Sequence, residues 1–372
     1  MFQLLFIAFL LFHGFLHWIG YRRAFRDSGS SEENSQANIN KKIHDTVWLS
    51  CTALWWMSAI AFYFNADWWW IICLIALIFS QILIFLHWKI ARYGSLVNLL
   101  IAIPVFLTFS SRNFERTCNN EILALNQAQE NRTLETISDS SLNNLPFPVQ
   151  CWLRHSGIVG KEKIQRVQLS QTGSMLTQQG GKWLSARANQ YFTVQNPAFV
   201  WTVNMEWPPF MSISGRDKFE NGKGNMLIKV ASVYTIANST GAETDQGSAI
   251  RYLAEMVWFP SAALEKYIQW EAVDSHSAKA VMRLNNQSVD AIFSFDTTGN
   301  VFRVEALRFG EFNGKYSKEK WVVNCSSPKE FSGITIPSKS EVTWKLQSGD
   351  FTWFKLEIED ILYNQPFKLT SR

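Results

Sequence analysis

Four stretches free of Asp, Glu, Lys and Arg, at 1–21, 46–66, 68–88 and 93–111, constrain this 372-residue chain more than any other feature. Each approaches the roughly 20 residues that an α-helix, rising about 1.5 Å per residue, needs to cross about 30 Å of hydrocarbon. The spacing predicts a bundle of four transmembrane helices over residues 1–111. The first stretch has no basic leader, and bulky His17, Trp18 and Tyr21 stand where signal-peptide cleavage needs small residues, so it reads as a retained helix. Arg22, Arg23, Arg26, Lys41 and Lys42 follow the first stretch, Lys89 and Arg92 follow the third, and the loop around Asn65 and Asp67 has no basic residue. The positive-inside rule then makes the first and third loops cytoplasmic. The N-terminus and everything beyond the fourth helix are expected outside the cytoplasm.

His13 and His17 are four residues apart and share one face of the first helix, while His87 lies near the end of the third. Ionisable side chains at membrane depth are functional candidates. Two readings stay open. One is a haem or metal site with a redox role built across helices. The other is interhelical hydrogen bonding with nearby Ser and Asn98.

After residue 111 the composition changes. Residues 112–144 are polar, with a helical stretch around Glu121–Glu130, and read as a tether. Pro146 and Pro148 end it and open a domain over 145–372, beginning with a short helix bearing Val149, Trp152 and Leu153. Runs rich in Val, Ile, Phe, Tyr and Thr then predict strands at 164–176, two within 182–205 divided at Asn196 and Pro197, and others at 210–214 and 224–236. Later strands are expected at 268–274, 279–284, 288–295, 301–309, 320–324, 341–346 and 351–363, with turns at NGKG (221–224), DTTGN (296–300) and QSGD (347–350). Between the two groups, Ile250, Leu253, Val257 and Trp258 recur at helical spacing, with Ser248 as expected N-cap and Pro260 as terminator. Leu264 and Ile268 suggest a second helical piece. The fold class is therefore an α-helical transmembrane bundle plus an antiparallel β-rich domain (α+β). Its sheet is expected to curve, as a half-barrel, around a helix pair.

A net charge of +4 without a basic aromatic-interleaved cluster gives no nucleic-acid footprint. GxSxG, HExxH, P-loop and dinucleotide-binding fingerprints do not occur, and no cofactor is expected. Of five cysteines, Cys51 and Cys73 fall in apolar spans, and a bond between Cys151 and Cys325 is expected if the domain sits in an oxidising compartment. The outer domain carries Trp183, Trp201, Trp207, Trp258, Trp270, Trp321, Trp344 and Trp353. On a concave sheet such rings line an apolar ligand cavity, although each alone is also an ordinary core residue. Arg216, Asp217, Arg251, Glu255, Glu271 and Asp274 form a polar set, in which Arg251 and Glu255 are one helical turn apart.

The motifs HGFLHWIG, RYGSLVNLL, ARANQYF, GRDKFENGKGNM, RYLAEMVWFPSA, QWEAVD and GITIPSKSEVTW run through nearly the whole chain. In these the sequence resembles an uncharacterised bacterial membrane-protein family whose C-terminal part is a domain of unknown function. The resemblance implies a bacterial inner-membrane location and no activity. The order of elements, though no motif, is similar to the periplasmic lipoprotein-carrier half-barrel, which shelters an acyl chain.

The leading expectation is a non-enzymatic envelope protein that binds a lipid or other apolar ligand through Trp201, Arg216, Asp217, Arg251, Glu255, Trp258 and Trp270. Its expected partners are membrane lipids and an apolar ligand, with no nucleic acid; the sequence names no envelope protein partner. The alternatives are acid–base hydrolysis of an envelope lipid or glycan by Asp217 and Glu255, with Glu271 in reserve, and a redox role through His13, His17 and His87.

Overall fold

The computed structural model describes residues 2–26, 35–127, 135–207, 211–284, 287–312 and 314–369. It divides into two compact units, Met1–Asn113 and Phe114–Arg372. The first holds α1 (Phe2–Arg26), α2 (Ser35–Tyr63), α3 (Trp69–Leu86), the single turn α4 (Trp88–Ala91) and the first part of α5 (Gly94–Gln127). Four segments, Phe2–Arg22, Asp45–Tyr63, Trp69–Leu86 and Gly94–Gln127, are long and apolar enough to cross a membrane. Leu, Ile and Phe such as Leu4, Ile78, Phe85 and Leu99 point outward, as lipid-facing residues do, while Leu10, Cys51, Trp55, Cys73, Ala76 and Ile101 pack inside. α5 takes in the beginning of the stretch that reads as a tether and is helical as far as Gln127; residues 128–130 lie outside the described residues.

The second unit opens with α6 (Phe147–His155), entered through Pro146 and Pro148 as expected. Six strands follow: β1 Arg166–Met175, β2 Leu184–Thr193, β3 Ala198–Trp207, β4 Met211–Glu220, β5 Lys223–Val230 and β6 Tyr234–Ser239. Then come α7 (Ala242–Glu255), 3-10 turns at Met256–Trp258 and Pro260–Leu264, and β7 Ile268–Ala272. β8 Ser277–Leu284, β9 Gln287–Phe295, β10 Val301–Phe312, β11 Lys315–Phe331, β12 Ile334–Leu346 and β13 Gly349–Tyr363 complete it. The thirteen strands among the described residues form one antiparallel sheet, ordered β6-β5-β4-β3-β2-β1-β13-β12-β11-β10-β9-β8-β7. Every neighbour is a hairpin partner except β1 and β13, so the chain's first and last strands meet in the middle.

α7 joins the two edges and packs on β4 and β5 from one half and on β9 and β10 from the other. A flat sheet cannot touch one helix from both halves, so this sheet curls around it as a half-barrel. Ala249, Ile250, Tyr252 and Leu253 are buried in that interior. The approach to β5 is close: a Cβ on Gly224 would lie 2.5 Å from Ser248 Oγ and 2.6 Å from the Thr244 carbonyl. Only glycine fits there. Outside the curve, Ile122 and Leu125 of α5 join Tyr191, Ala198, Val200 and Phe367 in a smaller apolar cluster.

Some expected boundaries move. α7 starts at Ala242 after Gly241 (φ 108°), so Ser248 is a buried mid-helix residue and not its cap. Glu243 and Asp245 lie in the first turn, where acidic side chains suit the helix dipole. The expected strand over 224–236 is two strands, because Ala231 and Ser232 both adopt left-handed φ (50° and 56°) and reverse the chain. The strand expected at 210–214 extends to Glu220, and Phe210 lies outside the described residues. β11 and β12 are far longer than expected and keep Pro328 opposite Pro337. Cys151 and Cys325 are separate free thiols, contrary to the expected bond; Cys325 is buried beside Ser340, and burial pushes its thiol up to about 12.

Candidate functional site

Alternation along the strands decides which side chains enter the half-barrel. In β11 Trp321 and Val323 face inward, and in β12 Ser340, Val342 and Trp344 do the same. The register sets Trp321 opposite Trp344 and Val323 opposite Val342. β13 adds Phe354 and Leu356, which lie opposite Val342 and Ser340. Trp201 of β3, Asp217 of β4, Arg251 and Glu255 of α7, Trp258 and Arg308 of β10 complete the main walls. Together they enclose a cavity of about 770 Å³ between α7 and the sheet.

One polar network crosses this cavity wall. Arg251 Nη1 donates to Asp217 Oδ2 and Arg251 Nε to Glu255 Oε1, each at 2.8 Å. Glu255 Oε2 accepts from Gln190 Nε2 at 2.7 Å, and Trp201 Nε1 donates to Gln171 Oε1 at 3.0 Å. The Arg251 guanidinium also lies 4.6 Å from the centre of the Trp201 ring, a cation–π contact. Burial opposes the Arg251 charge, but Glu255 and Asp217 outweigh it and hold the group above its ordinary value. For Glu255 burial dominates, and it raises the carboxyl above the usual range against the pull of Arg251 and Gln190. One guanidinium thus serves two carboxylates from two elements and ties α7 to β4.

A second arginine is held differently. Arg308 Nε donates to the Gly247 carbonyl at 2.9 Å, and its guanidinium stands 5.1 Å from the Trp321 ring and 5.5 Å from the Trp344 ring. Among the described residues no carboxylate pairs with it. Burial pulls it down to about 10, so it stays charged at neutral pH.

Of the residues expected to form the site, Trp201, Asp217, Arg251, Glu255 and Trp258 come together on the cavity. Arg216 does not, because it precedes Asp217 on one strand and faces the other side of the sheet. There it pairs with Glu121 at 3.1 Å and donates to the Asn225 carbonyl. Trp270 packs against Trp152 and Phe293 away from the cavity, its indole donating to the Ala263 carbonyl. Glu271 is largely exposed and pairs with Lys279 at 2.8 Å; Asp274 accepts from the His276 backbone. Arg308, absent from that set, carries a signal in sequence: Val304, Ala306 and Arg308 share the inward phase of β10, which puts a charge in an apolar position.

In the first unit the histidines belong to a hydrogen-bonded chain. His13 Nε2 meets Asn98 Oδ1 at 2.9 Å and His17 Nε2 meets Ser80 Oγ at 2.9 Å. Ser80 donates to Asn98 at 3.0 Å, and Asn98 in turn to Gln81. His87 bonds through Nδ1 to the Leu83 carbonyl of its own helix. Among the described residues no group of three or more His, Cys, Asp or Glu is placed to hold a metal ion.

Comparison with known proteins adds the following. No curated protein matches the chain. Among solved structures, a LolA superfamily protein from Nitrosomonas europaea is similar at 9% identity, over 58% of this chain and 94% of that one, with a TM-score of 0.34. A DUF1329 family protein from Desulfovibrio piger is similar at 10% identity, over 59% of this chain and 93% of that one, also with a TM-score of 0.34. Residues 135–356, more than half of the chain, match the model of DUF6544, a family of unknown function, and the chain belongs to that family.

Proposed function

We propose that the half-barrel binds a lipid or other apolar ligand in the cavity between α7 and the sheet, as a binding protein and not an enzyme. The observation that carries this reading is the cavity itself: about 770 Å³, walled by Trp201, Trp258, Trp321, Trp344 and Phe354. That size lies within the usual range for small-molecule sites, about 300–1,000 Å³. Each methylene transferred from water into such walls contributes about 0.8 kcal/mol. In this reading the four apolar helices anchor the chain in the bacterial inner membrane. The basic residues of the first and third loops then set the half-barrel on the extracytoplasmic side, near its lipid source.

The test is native mass spectrometry of the full chain released from a mild non-ionic detergent. A defined lipid adduct is expected, and Val342→Trp, which fills part of the cavity, should remove it while the protein stays folded. A full chain that is reproducibly empty after incubation with bacterial phospholipids and fatty acids would overturn the reading.

A further inference from the structure

The cavity wall is unequal in its hydrogen-bonding capacity. Trp258 and Trp321 are 3% and 4% exposed, yet their indole N–H groups have no acceptor among the described residues. Trp353 Nε1, on the same wall, also lacks one. Arg308 spends only Nε on a protein acceptor, the Gly247 carbonyl, and its Nη groups make no hydrogen bond among the described residues. Buried indoles and guanidinium groups ordinarily find partners, since a donor taken out of water without an acceptor loses its hydration uncompensated. Unmatched acceptors are fewer. On the cavity wall, among the described residues, the buried carboxylate oxygen without a hydrogen bond is Asp217 Oδ1, and the charge of that carboxylate is already met by Arg251 through Oδ2.

Among the charged groups that line the cavity, which include Glu243, Glu311 and Glu319, one cation stands apart. Arg251 is shared by Asp217 and Glu255, and burial favours the neutral form of Glu255. Arg308 is left as a cation without a carboxylate partner among the described residues, in contact with the Trp321 and Trp344 rings. A planar guanidinium with free Nη groups matches the paired oxygens of a carboxylate or a phosphate.

We propose that the ligand is an anionic single-chain amphiphile, with its head group on Arg308 beside Trp321 and Trp344 and its tail along the apolar walls. The head's oxygens accept from the free Nη groups of Arg308. This rests on the reading of the cavity as an apolar binding site and adds the chemistry of the head.

Three probes with the same tail isolate that chemistry: oleate, oleyl phosphate and oleyl alcohol, each titrated into the full chain in non-ionic detergent and followed by native mass spectrometry. The wild type should hold at least one of the anions roughly tenfold or more tighter than the alcohol. Arg308→Met should bring that ratio close to one, and Arg308→Lys should retain most of it. Arg308→Gln serves as the neutral variant if the Met variant does not fold. Tighter binding of oleyl phosphate than of oleate would assign a phosphate head, and the reverse a carboxylate. Equal binding of all three, or an anion preference that survives loss of the charge at 308, would overturn the proposal while leaving the apolar cavity standing. Binding of none of the three would overturn both.

Discussion

Arg251 is the residue on which most of the buried charge depends. Its guanidinium meets Asp217 and Glu255 at 2.8 Å each, and all three are nearly buried. Removing one partner of such a group leaves uncompensated charge and costs about 3–5 kcal/mol. Arg251→Met is expected to lower stability by that amount at neutral pH, read as faster amide exchange in α7 and a lower unfolding midpoint. Without the cation, burial is left to raise the Glu255 carboxyl further above its ordinary range in the folded state. That carboxyl would then bind a proton more readily folded than unfolded, so the deficit is full above its folded pKa and shrinks as pH falls through it. Glu255→Gln keeps an acceptor for Arg251 and should cost no more than about 1 kcal/mol. A deficit in Arg251→Met that does not change with pH would contradict this account. At this scale the sequence was partly legible: helical spacing paired Arg251 with Glu255, but a strand expected to end at residue 214 hid that Arg216 and Asp217 are neighbours on β4 and must face opposite sides. Trp270 misled because an indole on a strand looks the same whether it meets a cavity or a core.

Among the elements, the β5–β6 hairpin was the least visible in sequence. Its reversal uses Ala231 and Ser232 in left-handed conformation, where Asn and Gly are the usual residues, so 224–236 reads as one strand. The Ala231 backbone N–H donates to the Ser212 carbonyl at 2.7 Å, and Ser232 meets Ser214 at 3.2 Å, which hold the turn from β4. An L-residue in that conformation costs about 1 kcal/mol or more. Ala231→Gly should therefore stabilise the half-barrel slightly, by about 0.5–1 kcal/mol, in contrast to the usual effect of adding a glycine. A drop in unfolding midpoint would show that the turn is not strained. The long strands β11 and β12 were underestimated for another reason. Their paired ends hold Ser, Lys and two facing prolines, Pro328 exposed and Pro337 buried, and these residue types are not those by which a strand is recognised in sequence. The four apolar helices, by contrast, were plain, since hydrocarbon thickness fixes both their length and their composition.

At the scale of the whole molecule, strand order could be anticipated only in part. Short turns imply hairpins, and hairpins give two meanders, but nothing local says that β1 pairs with β13. That pairing, with α7 packed on both halves of the sheet, is what produces an interior rather than a flat surface. The cavity follows from the same geometry, since the inward phases of β3, β4 and β10 to β13 converge on one face of α7. The central claim is that an apolar tail occupies this interior, and photolabelling tests its location directly. A fatty acid bearing a diazirine on its tail is incorporated into membranes holding the full chain, activated by light, and the modified peptides are mapped. Labels within residues 175–357 are predicted to fall on cavity-wall positions such as Trp201, Trp258, Trp344 and Phe354, and to diminish with excess oleate. Labelling of that unit confined to its outer face, or unaffected by the competitor, would contradict the account.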